Sequence, residues 1–386
     1  MFNASHRQVI ICGGFISALA TIGSFFAGKV EVLYVTHGIL SGSFAGISNF
    51  AGNTIVGSYF KKKRTLAVGI SQSGIGFGAF SFNYLLERSI SFYGMRGTFL
   101  LISGLLLNFV VYGALSRPLK TVKMRKKEMK EIKLKSMNEF LLKPESEFDP
   151  DEKPIEYKEG TNIKNSNEHR NHSEKKPPTN MSNNISSKLN HLRLTIFDPD
   201  VMKNPSMQLL LTVYFFWTAG ECVMTYLPAK AVDTGLTREQ GALMMSIYGA
   251  VIAFSQIVAG ILADLLHIPT SYLLMASLFG MSAFSLSFTF CHSFSLFVVC
   301  ASLFAICHGF TCPLRVVLVS SILGVKNLTK GYSPLCLLMG LTYIIDTIIA
   351  GSLFDVIFYF ISGTLFVACI FSSGLVYMQR KRKFYE

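Results

Sequence analysis

About ten apolar blocks, each near twenty residues long, divide this chain, and that repetition limits its fold more than any other feature. They fall near 8–27, 32–58, 66–86, 96–116, 206–228, 241–263, 270–290, 294–322, 331–353 and 357–378. A bilayer core of about 30 Å takes ~20 apolar residues of helix to cross. Inside lipid, a single segment satisfies its own backbone hydrogen bonds only as a helix. The length of 386 residues alone would allow two or three soluble domains. Composition argues against them: charged residues make up 15%, against roughly 25% in average soluble proteins. The expectation is an all-α integral membrane protein with about ten transmembrane helices. The block at 32–58 is polar and glycine-rich, and the block at 294–322 carries His308 and Arg315, so these two bear the least typical pattern. A signal peptide would also place Arg7 before an apolar run, but this run is about twenty residues long, beyond the usual ~7–15.

Lys and Arg in the connections set the orientation, because they concentrate on the cytoplasmic side. The clusters are Lys61-Lys62-Lys63-Arg64, the segment after Arg117, Lys326 with Lys330, and Arg380-Lys381-Arg382-Lys383. Ten spans and a cytoplasmic N-terminus put all four on that side, with both termini cytoplasmic. One span more or fewer would split them. The opposite connections are short and nearly balanced, for example Lys29 with Glu31, and Lys230, Asp233, Arg238 and Glu239.

Residues 118–204 break the apolar pattern. They are rich in Lys, Glu, Asn and Ser, and cannot bury enough apolar surface to fold alone. They read as a disordered basic cytoplasmic loop between a four-helix bundle at 1–117 and a six-helix bundle at 205–379, with a basic tail at 380–386. The stretch 117–142 also fits a basic helix held on the anionic lipids of the inner leaflet, where each Lys or Arg contributes about 1 kcal/mol. Asn171, Asn180 and Asn184 head Asn-X-Ser triplets, which a cytoplasmic location makes chance matches. The net charge of +13 does not point to nucleic acid, since the basic residues lie between apolar blocks. Eight cysteines without a CxxC pair exclude a zinc ribbon or disulfide scaffold. No HExxH, P-loop or GxSxG is present, so neither an enzyme nor a cofactor is expected.

Several motifs are specific. Tyr59-Phe60-Lys61-Lys62-Lys63-Arg64-Thr65-Leu66-Ala67-Val68-Gly69-Ile70, followed by Ser73-Gly74-Ile75-Gly76, resembles a helix junction of the monocarboxylate transporters. Tyr93-Gly94-Met95-Arg96-Gly97-Thr98-Phe99 and Gly113-Ala114-Leu115-Ser116-Arg117-Pro118 are similar to the start and end of that family's sixth helix. In the second half Leu227-Pro228, Gly260-Ile261-Leu262-Ala263-Asp264 and Ala350-Gly351 keep the family's order. The resemblance implies a major-facilitator-type fold, truncated to four plus six helices around a central cavity, without the family's first two helices. Such folds bind solute near the midplane, between the two halves. The implied function is transport of a small organic solute, a monocarboxylate or related metabolite, by alternating access, across what is expected to be the plasma membrane. The implied partners are that solute, a proton, membrane lipids, and a single-span accessory protein or a second copy of the chain. A different class of function fits the missing helices: a non-transporting isoform or regulatory partner of full-length transporters.

The expected gating residues are Lys61 and Arg64, a positive stop at a helix end; Gly69 and Gly74, small residues that let helices approach and slide; and Asp264. In the superfamily the position of Asp264 braces the closed state by pairing with basic groups. For the solute site, ionisable groups within spans cost about 2.5–3.5 kcal/mol on insertion scales, so they usually face a cavity or a partner. Glu221, His308 and Arg315 qualify. His308 and Arg315 are seven residues apart and so share a helix face; for Arg315, snorkelling to the inner surface is the competing reading. The family's eighth helix often carries an Asp and an Arg four residues apart, for proton coupling and carboxylate binding. Here those positions are Ile252 and Gln256, which puts lactate-type proton symport in doubt. The expected substrate set is therefore Gln256, His308, Arg315 and Glu221. Any pH dependence is expected at His308, the group that titrates near neutrality when unperturbed.

Overall fold

A computed structural model describes residues 6–60, 62–116 and 198–385. Lys61, the glycosylation triplets and residues 118–197 of the expected central loop lie outside them. The described residues are helical throughout, in this order: α1 (His6–Phe25), α2 (Val30–Tyr59), α3 (Arg64–Leu106), α4 (Asn108–Leu115), α5 (Pro199–Met202), α6 (Pro205–Asp233), α7 (Arg238–Asp264), α8 (Thr270–Ser287), α9 (Phe294–Leu323), α10 (Leu328–Ser352) and α11 (Ile357–Tyr385). Within α2, Tyr34–Ser41 widens into π-helix.

Among the described residues, nine helices are long and apolar enough to cross a membrane. The expected blocks at 66–86 and 96–116 fall within a single stretch, Arg64–Leu115, in which two helices meet at a kink. It is interrupted at Gly94, whose φ of 65° and ψ of 176° are not helical. This backbone region is open essentially to glycine alone. Gly94→Ala is therefore expected to cost about 1–3 kcal/mol although nothing crowds the position; thermal unfolding of the purified variant, compared with Gly104→Ala, checks it.

Helix ends follow local chemistry. The Asn204 side chain accepts from Ser206 N–H, with Pro205 at the first helical position of α6. Thr237 and Gln240 form a reciprocal capping box at the start of α7, and Ser293 caps α9. Gly235 at φ 95° and Gly324 at φ 76° follow the ends of α6 and α9. The last residues of the expected loop join the bundle. Asp198 caps α5, Val201 is buried, and Asp198 Oδ2 lies 2.7 Å from Lys330 Nζ. The hydrogen bond from Lys330 holds the Asp198 carboxyl below its ordinary range.

Packing joins the two halves of the chain. The first part of α3 runs antiparallel along α7, from the Asp264 carboxylate accepting from Leu66 N–H at 2.8 Å to Arg88 Nη1 at 3.3 Å from Glu239 Oε1. The α2 helix reaches α10 through Phe50 stacked on Tyr332, with centroids 5.5 Å apart. The α1 helix packs antiparallel to α2, where the hydroxyls of Ser17, Thr21 and Ser41 hydrogen-bond together at 2.8–3.0 Å. The core is densest in α6 through α11, around Tyr214, Trp217, Tyr248, Phe304 and Tyr332.

Candidate functional site

Two helices turn polar stripes toward one another. On α6, Tyr214, Trp217, Thr218 and Glu221 recur at i, i+3, i+4 and i+7; on α9, His308, Thr311, Cys312 and Arg315 have the same spacing. That period places each set on one helix face. The stripes interlock: Trp217 Nε1 donates to Thr311 Oγ1 at 3.0 Å, and Tyr214 Oη donates to the Thr311 carbonyl at 3.2 Å.

His308 is buried at the centre. Its Nδ1 lies 2.8 Å from Tyr248 Oη on α7, and its Nε2 lies 3.3 Å from Glu221 Oε1 and 4.0 Å from Cys312 Sγ. Three helices thus converge on one imidazole. Glu221 is the exposed member, 28% open at its side chain. It lines a cavity of about 290 Å³ together with Thr218, Met224, Met339, Gly340 and Tyr343. Across it, Thr218 Oγ1 donates to Asp346 Oδ2 at 2.6 Å. A second cavity of about 470 Å³ shares Met224 and extends past Pro228 to Asn83, Glu87 and Arg238.

Arg315 is half-buried, two helical turns beyond His308 on the same stripe. Its Cζ sits 5.5 Å from the Trp217 ring centroid, and Nη1 lies 3.3 Å from Met339 Sδ. Nε has no hydrogen-bond partner. Among the described residues no carboxylate lies within 4 Å of the guanidinium.

The expected site residues therefore separate. Glu221 and His308 touch, and Arg315 joins them through Trp217, whose ring is also 5.6 Å from the His308 ring. Gln256 stands apart. It is fully buried where α7 meets Gly69 of α3 and Gly309 of α9, and neither amide atom has a partner. Tyr248, Trp217, Thr311 and Cys312 were not expected. The stripe spacing on α6 and α9 was the signal for three of them.

The expected gating residues separate as well. Arg64 Nη1 donates to Ser320 Oγ on α9 at 2.8 Å, beside the contact from Asp264 to Leu66. Asp264 thus accepts from a backbone N–H at the start of α3, and among the described residues no basic side chain lies within 4 Å of it. Gly69 meets the backbone of α7 at Gln256, whereas Gly74 is exposed with nothing near it.

This arrangement, a helical bundle with ionisable groups gathered beside an open pocket, can be compared with known proteins. The sequence profile of the Major Facilitator Superfamily matches residues 3–145 and 209–383. The chain belongs to the major facilitator superfamily. Within it, relatives are monocarboxylate transporters. Monocarboxylate transporter 12 of Xenopus laevis is 27% identical over 90% of this chain and 67% of its own length. Monocarboxylate transporter 14 of Mus musculus is 38% identical over 31% of this chain and 23% of its own length. Among solved structures, the proton:xylose symporter XylE aligns with a TM-score of 0.65 at 13% identity, covering 95% of this chain and 79% of XylE. FucP in its outward conformation aligns at 0.57 and 14%, covering 97% of this chain and 84% of FucP. The family match and these likenesses establish a multi-pass membrane transporter fold.

Proposed function

We propose that this chain carries a small organic anion, a monocarboxylate or related metabolite, across the plasma membrane by alternating access, with Arg315 holding the solute's carboxylate. The carrying observation is an interior guanidinium with a buried, unpartnered Nε and no carboxylate within 4 Å among the described residues. An ionised group of this kind is costly within a bilayer unless something of opposite charge or a wet cavity answers it. Arg is suited to the role because its planar fork binds a carboxylate through two parallel hydrogen bonds. Relatives named as monocarboxylate transporters support the solute class.

Uptake of a panel of labelled monocarboxylates into proteoliposomes, with and without an inward proton gradient, tests the reading. Saturable uptake above protein-free vesicles is expected for at least one anion. The gradient arm separates symport from facilitated movement. Uniform failure across the panel would favour the non-transporting reading.

The proposal includes a topology with both termini and residues 118–204 cytoplasmic, resting on the basic clusters of the connections. In intact cells Asn171, Asn180 and Asn184 are expected to stay unglycosylated. Sugar on Asn171 or Asn184 would overturn the orientation.

A further inference from the structure

We propose that Glu221, His308 and Cys312 form a binding site for a divalent transition metal of the zinc type. This goes beyond the transport reading and does not depend on it. The three donor atoms Oε1, Nε2 and Sγ lie within 4.8 Å of one another, with edges of 3.3 Å and 4.0 Å at the imidazole. Zinc bonds of about 2.0–2.3 Å in a tetrahedron put neighbouring donors roughly 3.3–3.8 Å apart. Two edges already stand near that range. The third closes by a turn of the Glu221 side chain, which is partly open to the cavity.

The donor set is suited to this metal class. An imidazole, a thiolate and a carboxylate together favour zinc and its neighbours over the hard cations, which prefer all-oxygen shells. His308 and Cys312 are four residues apart on α9, so the helix itself holds two ligands on one face, and α6 supplies the third. On its Glu221 side the donor set borders the cavity lined by Thr218 and Tyr343. That cavity gives the ion a route of entry and a place for water.

The outer shell is in place as well. A metal on His308 Nε2 needs the ring proton on Nδ1, and Tyr248 Oη, 2.8 Å away, accepts it. Such a partner fixes the tautomer and strengthens the ligand. Binding replaces the contact of His308 with Glu221 by two metal bonds and releases the Cys312 thiol proton to solvent. Affinity therefore falls as pH falls.

Cobalt titration of the purified full-length protein in detergent tests the site by its spectrum. Wild type is expected to develop a thiolate-to-cobalt charge-transfer band with the visible bands of four-coordinate cobalt. Cys312→Ser, which keeps size and swaps sulfur for oxygen, should lose the charge-transfer band. Cys307→Ser, whose sulfur faces Gly280 instead, should keep it. Tyr248→Phe should keep the band but weaken binding by roughly 10–100-fold, the usual effect of losing an outer-shell partner. If Cys312→Ser does not yield folded protein, zinc-edge X-ray absorption of wild type replaces it, with one sulfur expected at about 2.3 Å. A wild-type spectrum without sulfur ligation, or a band that survives in Cys312→Ser, would overturn the assignment.

Discussion

Arg315→Ala is expected to bring uptake of an anionic solute down to background, while Arg315→Lys keeps a measurable fraction. Hydrogen bonds to charged groups contribute about 1.5–3 kcal/mol each, and every 1.4 kcal/mol is about tenfold in affinity. Losing a two-pronged contact thus removes roughly two orders of magnitude or more. Lysine keeps the charge and loses the fork. The competing account, a cation reaching for the membrane surface, predicts little change from either substitution. Its difficulty lies in the geometry. The guanidinium rests over Trp217 and against Met339, inside the bundle, instead of extending along α9 toward its end. Saturation kinetics of both variants, normalised to the amount of folded protein in the membrane, decide between the two. Wild-type kinetics in Arg315→Ala would end the role proposed for it.

What the sequence disclosed about this protein follows the range of the forces involved. Spans are written in runs of twenty apolar residues, and caps in residues such as Asn204, Thr237 and Ser293, whose effects are local. The break at Gly94 falls in the connection expected between the blocks at 66–86 and 96–116, but the glycine conformation that makes it leaves no mark in an apolar count. The candidate site was legible by half. Glu221, His308 and Arg315 stand out as ionisable groups in apolar blocks. Of their partners, Trp217 shares the stripe of Glu221 on α6, whereas Tyr248 lies on α7 and only packing brings it to His308. Gln256 was selected by a position in the family pattern, which is silent on what the surrounding helices do. Here they close over it, leaving a buried amide without partners. The glycine face was visible in principle. Residues 69 and 76 are seven apart, about 20° around a helix, while 69 and 74 are about 140° apart. Treating Gly69 and Gly74 alike overlooked that rotation.

The same rotation yields the second large effect. Gly76→Leu should disrupt the joint between the two halves of the chain, and Gly74→Leu should leave it intact. A Cβ at position 76 would stand 2.4 Å from the Ala253 nitrogen and 2.6 Å from the Gly249 carbonyl oxygen of α7. At position 69 it would stand 2.3 Å from the Gln256 carbonyl oxygen. The crowding is mutual, since a Cβ at Gly249 would meet Phe80 nitrogen at 2.5 Å and one at Gly260 would meet Leu66 Cα at 2.5 Å. These neighbours are backbone, so no rotamer change relieves them, and the helices must separate. Overpacking of a close contact usually costs about 1–3 kcal/mol, and a leucine against backbone belongs at or above the upper end. Separation would also strain the contacts at both ends of the joint, Leu66 to Asp264 and Arg88 to Glu239. At Gly74 a side chain enters open space on the outer face, where a change is usually within about 0.5 kcal/mol. Thermal unfolding of the two variants in detergent, followed by uptake measured on the same preparations, makes the comparison. A wild-type melting temperature for Gly76→Leu would mean that α3 and α7 do not run backbone to backbone along this seam.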